Sequence, residues 1–298
     1  MHISTLLFHE RAEFLVVEIK NEFLCAKINE RGAELKSLKM GDKEYIWQGD
    51  EKFWASSAPL VFPICSGLKD DEYYLNGIKY KLEKHGFIRF KTFEVEKKDE
   101  SSVTFIYTPD ADSRVSFPFD YELRLTYILD NKTLRVLYNV KNESDSEMYF
   151  SIGAHEGFAC EEGIEEYDVI LPEAESLVSS VLEGNLIGDK KIQITENSDI
   201  LSLKYDYFAV DALVFENMKA RSVILKKRDG GKAFKLTFNG FDYFLIWTKP
   251  DAPYICLEPW CGISDKIGTN QDIKTKEGII CLEKGGVFAR EHSIEIIE

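Results

Sequence analysis

Apolar and polar residues alternate with a period of two along much of this chain. In 121–128, Tyr121, Leu123, Leu125 and Tyr127 alternate with Glu122, Arg124 and Thr126. After Asp130-Asn131 the period resumes at Leu134, Val136, Tyr138 and Val140, which predicts a hairpin with one buried face. Similar patterns predict strands near 12–19, 22–29, 33–39, 102–108, 147–153, 222–227, 233–239, 242–248, 253–257 and 287–296. Asn76-Gly77, Asp229-Gly230-Gly231 and Asn239-Gly240 read as hairpin turns. Helical periodicity is missing from long segments. Short helical turns are expected only around 50–56 and 263–268, and the polar stretches 109–116 and 186–200 read as loops. Many short antiparallel strands with few helices define an all-β chain, a large sandwich or barrel. There is no internal repeat or linker, so one domain over 1–298 is expected.

Composition narrows the function. Of 298 residues, 44% are hydrophobic and 13% aromatic, enough for a folded core. The net charge of −15 and the absence of a basic run disfavour nucleic acid as a partner. No apolar run approaches the roughly 20 residues needed to span a bilayer, so no membrane partner is expected. Met1-His2-Ile3-Ser4 does not open a signal peptide. The six cysteines, at 25, 65, 160, 256, 261 and 281, form no CxxC, and free thiols in a reducing cytoplasm account for them. A cytoplasmic location follows as an expectation.

Three motifs carry candidate chemistry: Lys84-His85-Gly86-Phe87, Gly153-Ala154-His155-Glu156-Gly157-Phe158 and Cys256-Leu257-Glu258-Pro259-Trp260-Cys261-Gly262. Glycine lets backbone approach a ligand and phenylalanine excludes water. Two imidazoles and a carboxylate can remove and deliver protons near neutral pH. Plainer roles are open for each. His155 fits a core histidine, His85 an exposed loop and Glu258 a structural salt bridge. Asp211, inside the apolar run Phe208 to Phe215, fits a strand edge or a turn. Trp54, Phe62, Phe158, Phe215 and Trp260 can form a platform for sugar C–H faces or belong to the core.

In order and spacing these segments resemble the aldose 1-epimerase (galactose mutarotase) family over roughly residues 10–297. The resemblance begins at Arg31-Gly32-Ala33-Glu34-Leu35-Lys36-Ser37-Leu38. It continues through Tyr45-Ile46-Trp47, Pro59-Leu60-Val61-Phe62-Pro63 and His85-Gly86-Phe87 to Gly153-Ala154-His155. It ends at Leu257 to Asp265 and Lys276-Glu277-Gly278-Ile279. These last stretches are most similar to a divergent bacterial branch associated with lactose operons. The resemblance implies a large antiparallel β-sandwich, the galactose mutarotase-like supersandwich, with a sugar cleft on one sheet. It also implies interconversion of the α and β anomers of a free hexose, with no cofactor and no metal. By that resemblance Glu258 matches the general base, His155 the general acid and His85 a second histidine that holds the ring oxygen or a neighbouring hydroxyl. Asp211 falls where the family has a substrate-binding aspartate. Lys69, Arg89, Trp260 and Phe158 are further candidates for substrate binding. The partner is then a small monosaccharide, taken by a monomer or homodimer.

Two departures stand out. The family's sugar-contacting arginine after Phe-Pro is absent, with Gly67 in its place and Lys69 as a possible substitute donor without the planar fork of arginine. Glu156 follows His155 where proline is usual and, if close, would favour protonated His155. Mutarotation calls for a base with a raised pKa and an acid near 7. Rival readings are a non-catalytic sugar sensor, a hexose-phosphate epimerase using Lys69, Lys84 and Arg89, and a metal site of His85, His155 and Glu258.

Overall fold

The computed structural model describes residues 15–297. Met1-His2-Ile3-Ser4, read above as not opening a signal peptide, and the start of the first expected strand, 12–14, lie outside them. Strands dominate, as the alternation predicts, and the fold is a large antiparallel β-sandwich. One sheet has nine strands, in the order Ser198–Ser202, Tyr167–Glu175, Ser222–Lys227, Ala233–Thr237, Val287–Ile296, Thr133–Asn142, Tyr121–Asp130, Ser102–Tyr107, Glu94–Lys98. A seven-stranded sheet faces it. There Ile152–Gly153 and Glu156–Ala159 both pair with Tyr254–Cys261, followed by Tyr243–Trp247, Leu213–Phe215, Val178–Glu183 and Leu186–Gln193. A four-stranded sheet begins the described chain, from Val16–Lys20 to Lys43–Glu44.

The core fills the space between the two large sheets. Phe158 stacks on Phe234 across it at 4.2 Å, and Phe238 on Phe244 at 4.6 Å. The 121–130 and 133–142 hairpin buries every second residue, and its outward residues are half-buried. Tyr254–Cys261 is buried at all eight positions. Ile255, Leu257 and Cys261 join the inter-sheet core, whereas Tyr254, Cys256 and Trp260 pack on the opposite face. That second face is the floor of a cleft, which is why this strand reads as a continuous apolar run.

Several local expectations are corrected. Residues 109–116 include a helix, Ala111–Ser116, capped by the Asp110 carboxylate accepting from Ser113 N–H at 2.7 Å. Residues 186–200 include two strands, Leu186–Gln193 and Ser198–Ser202. Both lie at sheet edges, where solvent replaces a partner strand and polar residues are favoured, so the polarity that suggested a loop marks an edge. Residues 50–56 form a single turn closed by the Asp50 carbonyl, which accepts from Phe53 and Trp54 N–H, and 263–268 runs to a bridge from Lys266 to Ile187 and then turns at 267–268, where Thr269 N–H donates to the Lys266 carbonyl. Neither is helical. Asn239-Gly240 turns the chain, but it joins Thr237 in one large sheet to Tyr243 in the other and closes no hairpin.

Candidate active site

A cleft of about 360 Å³ opens on the outer face of the seven-stranded sheet, with His85, His155, Glu258, Asp211, Arg89 and Trp260 in its lining. The ladder explains how two of these meet. Gly153 lies opposite Trp260 and Glu156 opposite Leu257, so the register puts His155 opposite Glu258. Gly153 exchanges backbone hydrogen bonds with Val61 and Gly157 donates to Ser57, both away from Tyr254–Cys261. The 155–258 pair therefore shares the non-hydrogen-bonded geometry, in which facing side chains come closest. His155 Nε2 stands 3.4 Å from Glu258 Oε2, with side chains 9% and 2% exposed.

Proline shapes the same spot. Ala154 N–H donates to the Pro259 carbonyl at 3.1 Å, but Pro259 has no N–H to return. The Ala154 carbonyl accepts the Trp260 indole N–H instead, at 2.8 Å. The indole then lies across Gly153, where a Cβ would sit 2.2 Å from Trp260 Cδ1. Only glycine admits the ring.

His155 sits in an aromatic box. Trp54 stacks on it at 5.1 Å, and Trp247 and His85 meet it edge-on at 5.7 and 5.4 Å. Burial favours its neutral form and pushes its pKa down to about 3. Burial pushes the Glu258 carboxyl well above its ordinary value. Burial disfavours the charged form of both groups. An acid near 7 at His155 is thus corrected. Glu156 does not assist it either: it points into the core on the opposite face of the strand, 3.1 Å from His292 Nε2.

His85 is fixed from behind. Its backbone is left-handed, at φ 66°, and its N–H donates to the Ser66 carbonyl at 2.9 Å. Ser66 N–H donates to His85 Nδ1 at 3.3 Å. An accepting Nδ1 leaves the proton of the neutral ring on Nε2. Desolvation and the neighbouring His155 hold its pKa well below the ordinary value. Gly86 follows with φ 63°, and a Cβ there would lie 2.4 Å from the Phe62 carbonyl.

Asp211 lies on a loop before Leu213–Phe215, at the rim. One oxygen accepts from Ala212 N–H, and the other lies 3.7 Å from Lys84 Nζ. Arg89 donates to the Lys84 carbonyl at 3.1 Å and lies over Phe90. Lys69 and Phe158 are not in the cleft lining. Phe158 belongs to the core against Phe234 because its strand points it inward next to Glu156, on the side opposite His155 and Gly157. Lys69 is displaced because its segment is clamped elsewhere, Lys69 N–H on Asp265 Oδ2 and its carbonyl on Gln271. Of the candidate platform aromatics, Trp54 and Trp260 line the cleft, while Phe62 and Phe215 are core.

The Gly67 position has no room for an arginine. A Cβ there would sit 2.7 Å from Asn185 Cβ and 2.9 Å from its carbonyl, in the turn after Val178–Glu183. The guanidinium in this cleft comes from Arg89. Trp247, Ser56, Ser66, Leu182 and Leu245 also line it and were missed. The alternation Tyr243, Leu245, Trp247 on a predicted strand was a signal for two of them. The early motif has a supporting role. Glu34 Oε1 accepts from Ser57 and Ala58 N–H at 2.6 and 3.1 Å, holding the segment that carries Trp54 and Ser56.

A larger, open hollow of about 960 Å³ lies on the nine-stranded sheet. Of the charges in its lining, Arg124 pairs with Glu96, Glu291 pairs with Arg135 outside it, and Arg290 donates to the Gly240 and Ala289 carbonyls, so these are already engaged.

A profile of the aldose 1-epimerase family matches residues 15–287, and the chain belongs to that family. Protein LacX, chromosomal, of Lactococcus lactis subsp. lactis is 33% identical over 280 residues, 88% of this chain and 93% of that protein. The crystal structure of a galactose mutarotase related enzyme from Lactobacillus acidophilus matches with a TM-score of 0.90 at 30% identity, over 95% of this chain and 98% of that one. A galactose mutarotase-like protein from Lactobacillus casei ATCC 334 matches equally, at 0.90 and 30%, over 95% and 100%. Family and fold together support a carbohydrate epimerase-type function. No helix among the described residues is long and apolar enough to cross a membrane.

Proposed function

We propose that the cleft interconverts the α and β anomers of a free hexose by acid–base ring opening and closure. The observation that carries this is the His155–Glu258 pair, 3.4 Å apart and buried at the cleft floor. Ring opening needs one acceptor and one donor. Sugar hydroxyls that donate to Glu258 favour its ionised form, and its proton passes to His155 across the 3.4 Å contact. Glu258 then takes the proton of the anomeric hydroxyl while His155 delivers one to the ring oxygen. The C1–O5 bond breaks and the C1 carbonyl forms. Rotation about C1–C2 and the reverse transfers close the ring on the other face, restoring the pair. His85 offers its Nε2–H to the ring oxygen or a neighbouring hydroxyl. Asp211 and Arg89 supply an acceptor and donors at the rim, and Trp54 and Trp260 supply apolar walls. The cleft volume lies in the small-molecule range of about 300–1,000 Å³.

One observation favours a second reading. Lys84 and Arg89 put two cationic groups on one rim, a setting that suits a phosphorylated hexose. NMR anomer exchange across free and phosphorylated hexoses tests both. Acceleration of free glucose or galactose supports the first reading, and acceleration confined to the phosphates supports the second. Binding without faster exchange would leave a non-catalytic sugar sensor and overturn both.

A further inference from the structure

We propose that the cleft floor is also a binding site for a thiophilic divalent cation, Zn²⁺ or Co²⁺, held by a His155 ring nitrogen, Cys256 Sγ and a Glu258 oxygen, and that the bound ion silences the acid–base pair. The silencing half rests on the anomerase reading above; the site itself does not.

The ladder generates this set. Cys256 and Glu258 are two residues apart and project to the same face, and His155 stands opposite Glu258. The three ligand atoms all lie within 4.8 Å of one another. A tetrahedral zinc ion with bonds of about 2.0–2.2 Å to nitrogen and oxygen needs those two atoms about 3.4 Å apart. Here the separation is 3.4 Å. The sulfur edges need about 3.6 Å for a Zn–S bond near 2.3 Å, so binding draws the Cys256 sulfur in from separations of at most 4.8 Å.

The donors are also buried and incompletely satisfied. Cys256 and Glu258 are 0% and 2% exposed, Glu258 faces His155 at 3.4 Å, and His155 Nδ1 is buried with no hydrogen-bond partner. Buried polar groups ordinarily find partners, so this set is built for something that enters it. A sugar satisfies Glu258 and His155 from the cleft side, but it does not reach Cys256, which lies below them in the cluster with Trp47, Phe53, Trp54 and Trp247. A cation satisfies all three. Nitrogen, sulfur and oxygen donors select zinc-like ions over Mg²⁺ or Ca²⁺. Three protein ligands leave a fourth position facing the cleft, open to water or a sugar hydroxyl. With the ion in place, His155 has no lone pair for a proton and Glu258 no free charge for the anomeric hydroxyl.

The purified protein is titrated with Co²⁺ and then Zn²⁺. The expected result is a thiolate-to-cobalt charge-transfer band in the near ultraviolet that saturates at one equivalent, is displaced by Zn²⁺ and is missing in Cys256→Ala. Cys256→Val, closer in volume to the native side chain, is the second variant. No band, or a band that persists in both variants and so arises at the exposed Cys281, overturns the site. Anomer exchange is read in parallel. Zn²⁺ at about ten times its Kd slows wild type about tenfold. A chelator restores the rate, Mg²⁺ has no effect, and both variants run at the metal-free rate with Zn²⁺ present. A full rate with the ion bound overturns the silencing. A band without exchange on any sugar supports the site and overturns the anomerase reading instead.

Discussion

Glu156 and His292 meet between the two large sheets, 3.1 Å apart and almost wholly buried, on the reverse side of the strand that offers His155 to the cleft. Tyr138 hydroxyl completes the group at 3.0 Å from His292 Nδ1. One strand thus carries two acid–histidine contacts, one facing the cleft and one facing the core.

Removing one partner of the core pair leaves the other stranded, which costs about 3–5 kcal/mol in comparable buried pairs. Glu156→Leu and His292→Leu are each expected to lower the thermal midpoint strongly, and the double variant to recover much of the loss. Anomer exchange per folded molecule changes little. Circular dichroism melts of the four proteins check this, and additive losses in the double variant would show that the two residues do not act as a pair.

Glu258→Gln keeps the shape and removes the proton exchange. A drop in kcat of about 10²–10⁴-fold is expected, with sugar binding retained. Polarimetry and NMR saturation exchange measure it, and a wild-type rate would rule Glu258 out as the base.

The same substitution has a pH signature in stability. Burial raises the pKa of folded Glu258, so the native carboxyl holds its proton to higher pH than the unfolded chain, which loses it above about 4.3. Above that pH the native state binds more protons than the unfolded state, so native stability falls as pH rises, by at most about 1.4 kcal/mol per unit. Glutamine has no such loss. The stability of Glu258→Gln relative to wild type should therefore grow from pH 5 to pH 8 in denaturant titrations. A constant difference would mean that the native carboxyl is not held protonated.

His85 should stay neutral, with its proton on Nε2, at pH values well below those at which an ordinary histidine titrates, as read from ring ¹⁵N shifts. His85→Ala removes a donor worth about 1–3 kcal/mol, so KM or kcat/KM should worsen by roughly ten- to a hundredfold. A histidine that titrates near 6.5 in these spectra would contradict the Ser66 anchor.

Gly67→Arg is expected not to rebuild the family's usual contact. It drives a side chain into Asn185 and lowers stability, while Arg89→Ala weakens sugar binding with the fold intact. Thermal midpoints and KM values for both variants decide it. A tighter-binding, stable Gly67→Arg would show that the turn at 185 gives way.

Much of this was legible before any coordinates. The 121–140 hairpin was readable because strict alternation has one interpretation, and His85, His155 and Glu258 were readable as a set because motifs preserve residue types that chemistry needs. What escaped was decided by placement. Edge strands such as Leu186–Gln193 are solvated on most sides and look like loops. Phe158 and Glu156 fell on the core side of a strand whose other face lines the cleft, and the sequence near 155 does not say which face is which. Trp247 reaches the cleft only because its strand pairs with Tyr254–Cys261, a contact that local pattern does not encode.

Pro259 gives the cleft a dependency that crosses from backbone to recognition. Any other residue at 259 would bring an amide hydrogen that competes for the Ala154 carbonyl and turns the indole loose. The wall against which a sugar ring would rest is therefore set by an atom the chain lacks, and variation at Trp260 that shifts sugar preference is constrained by its neighbour.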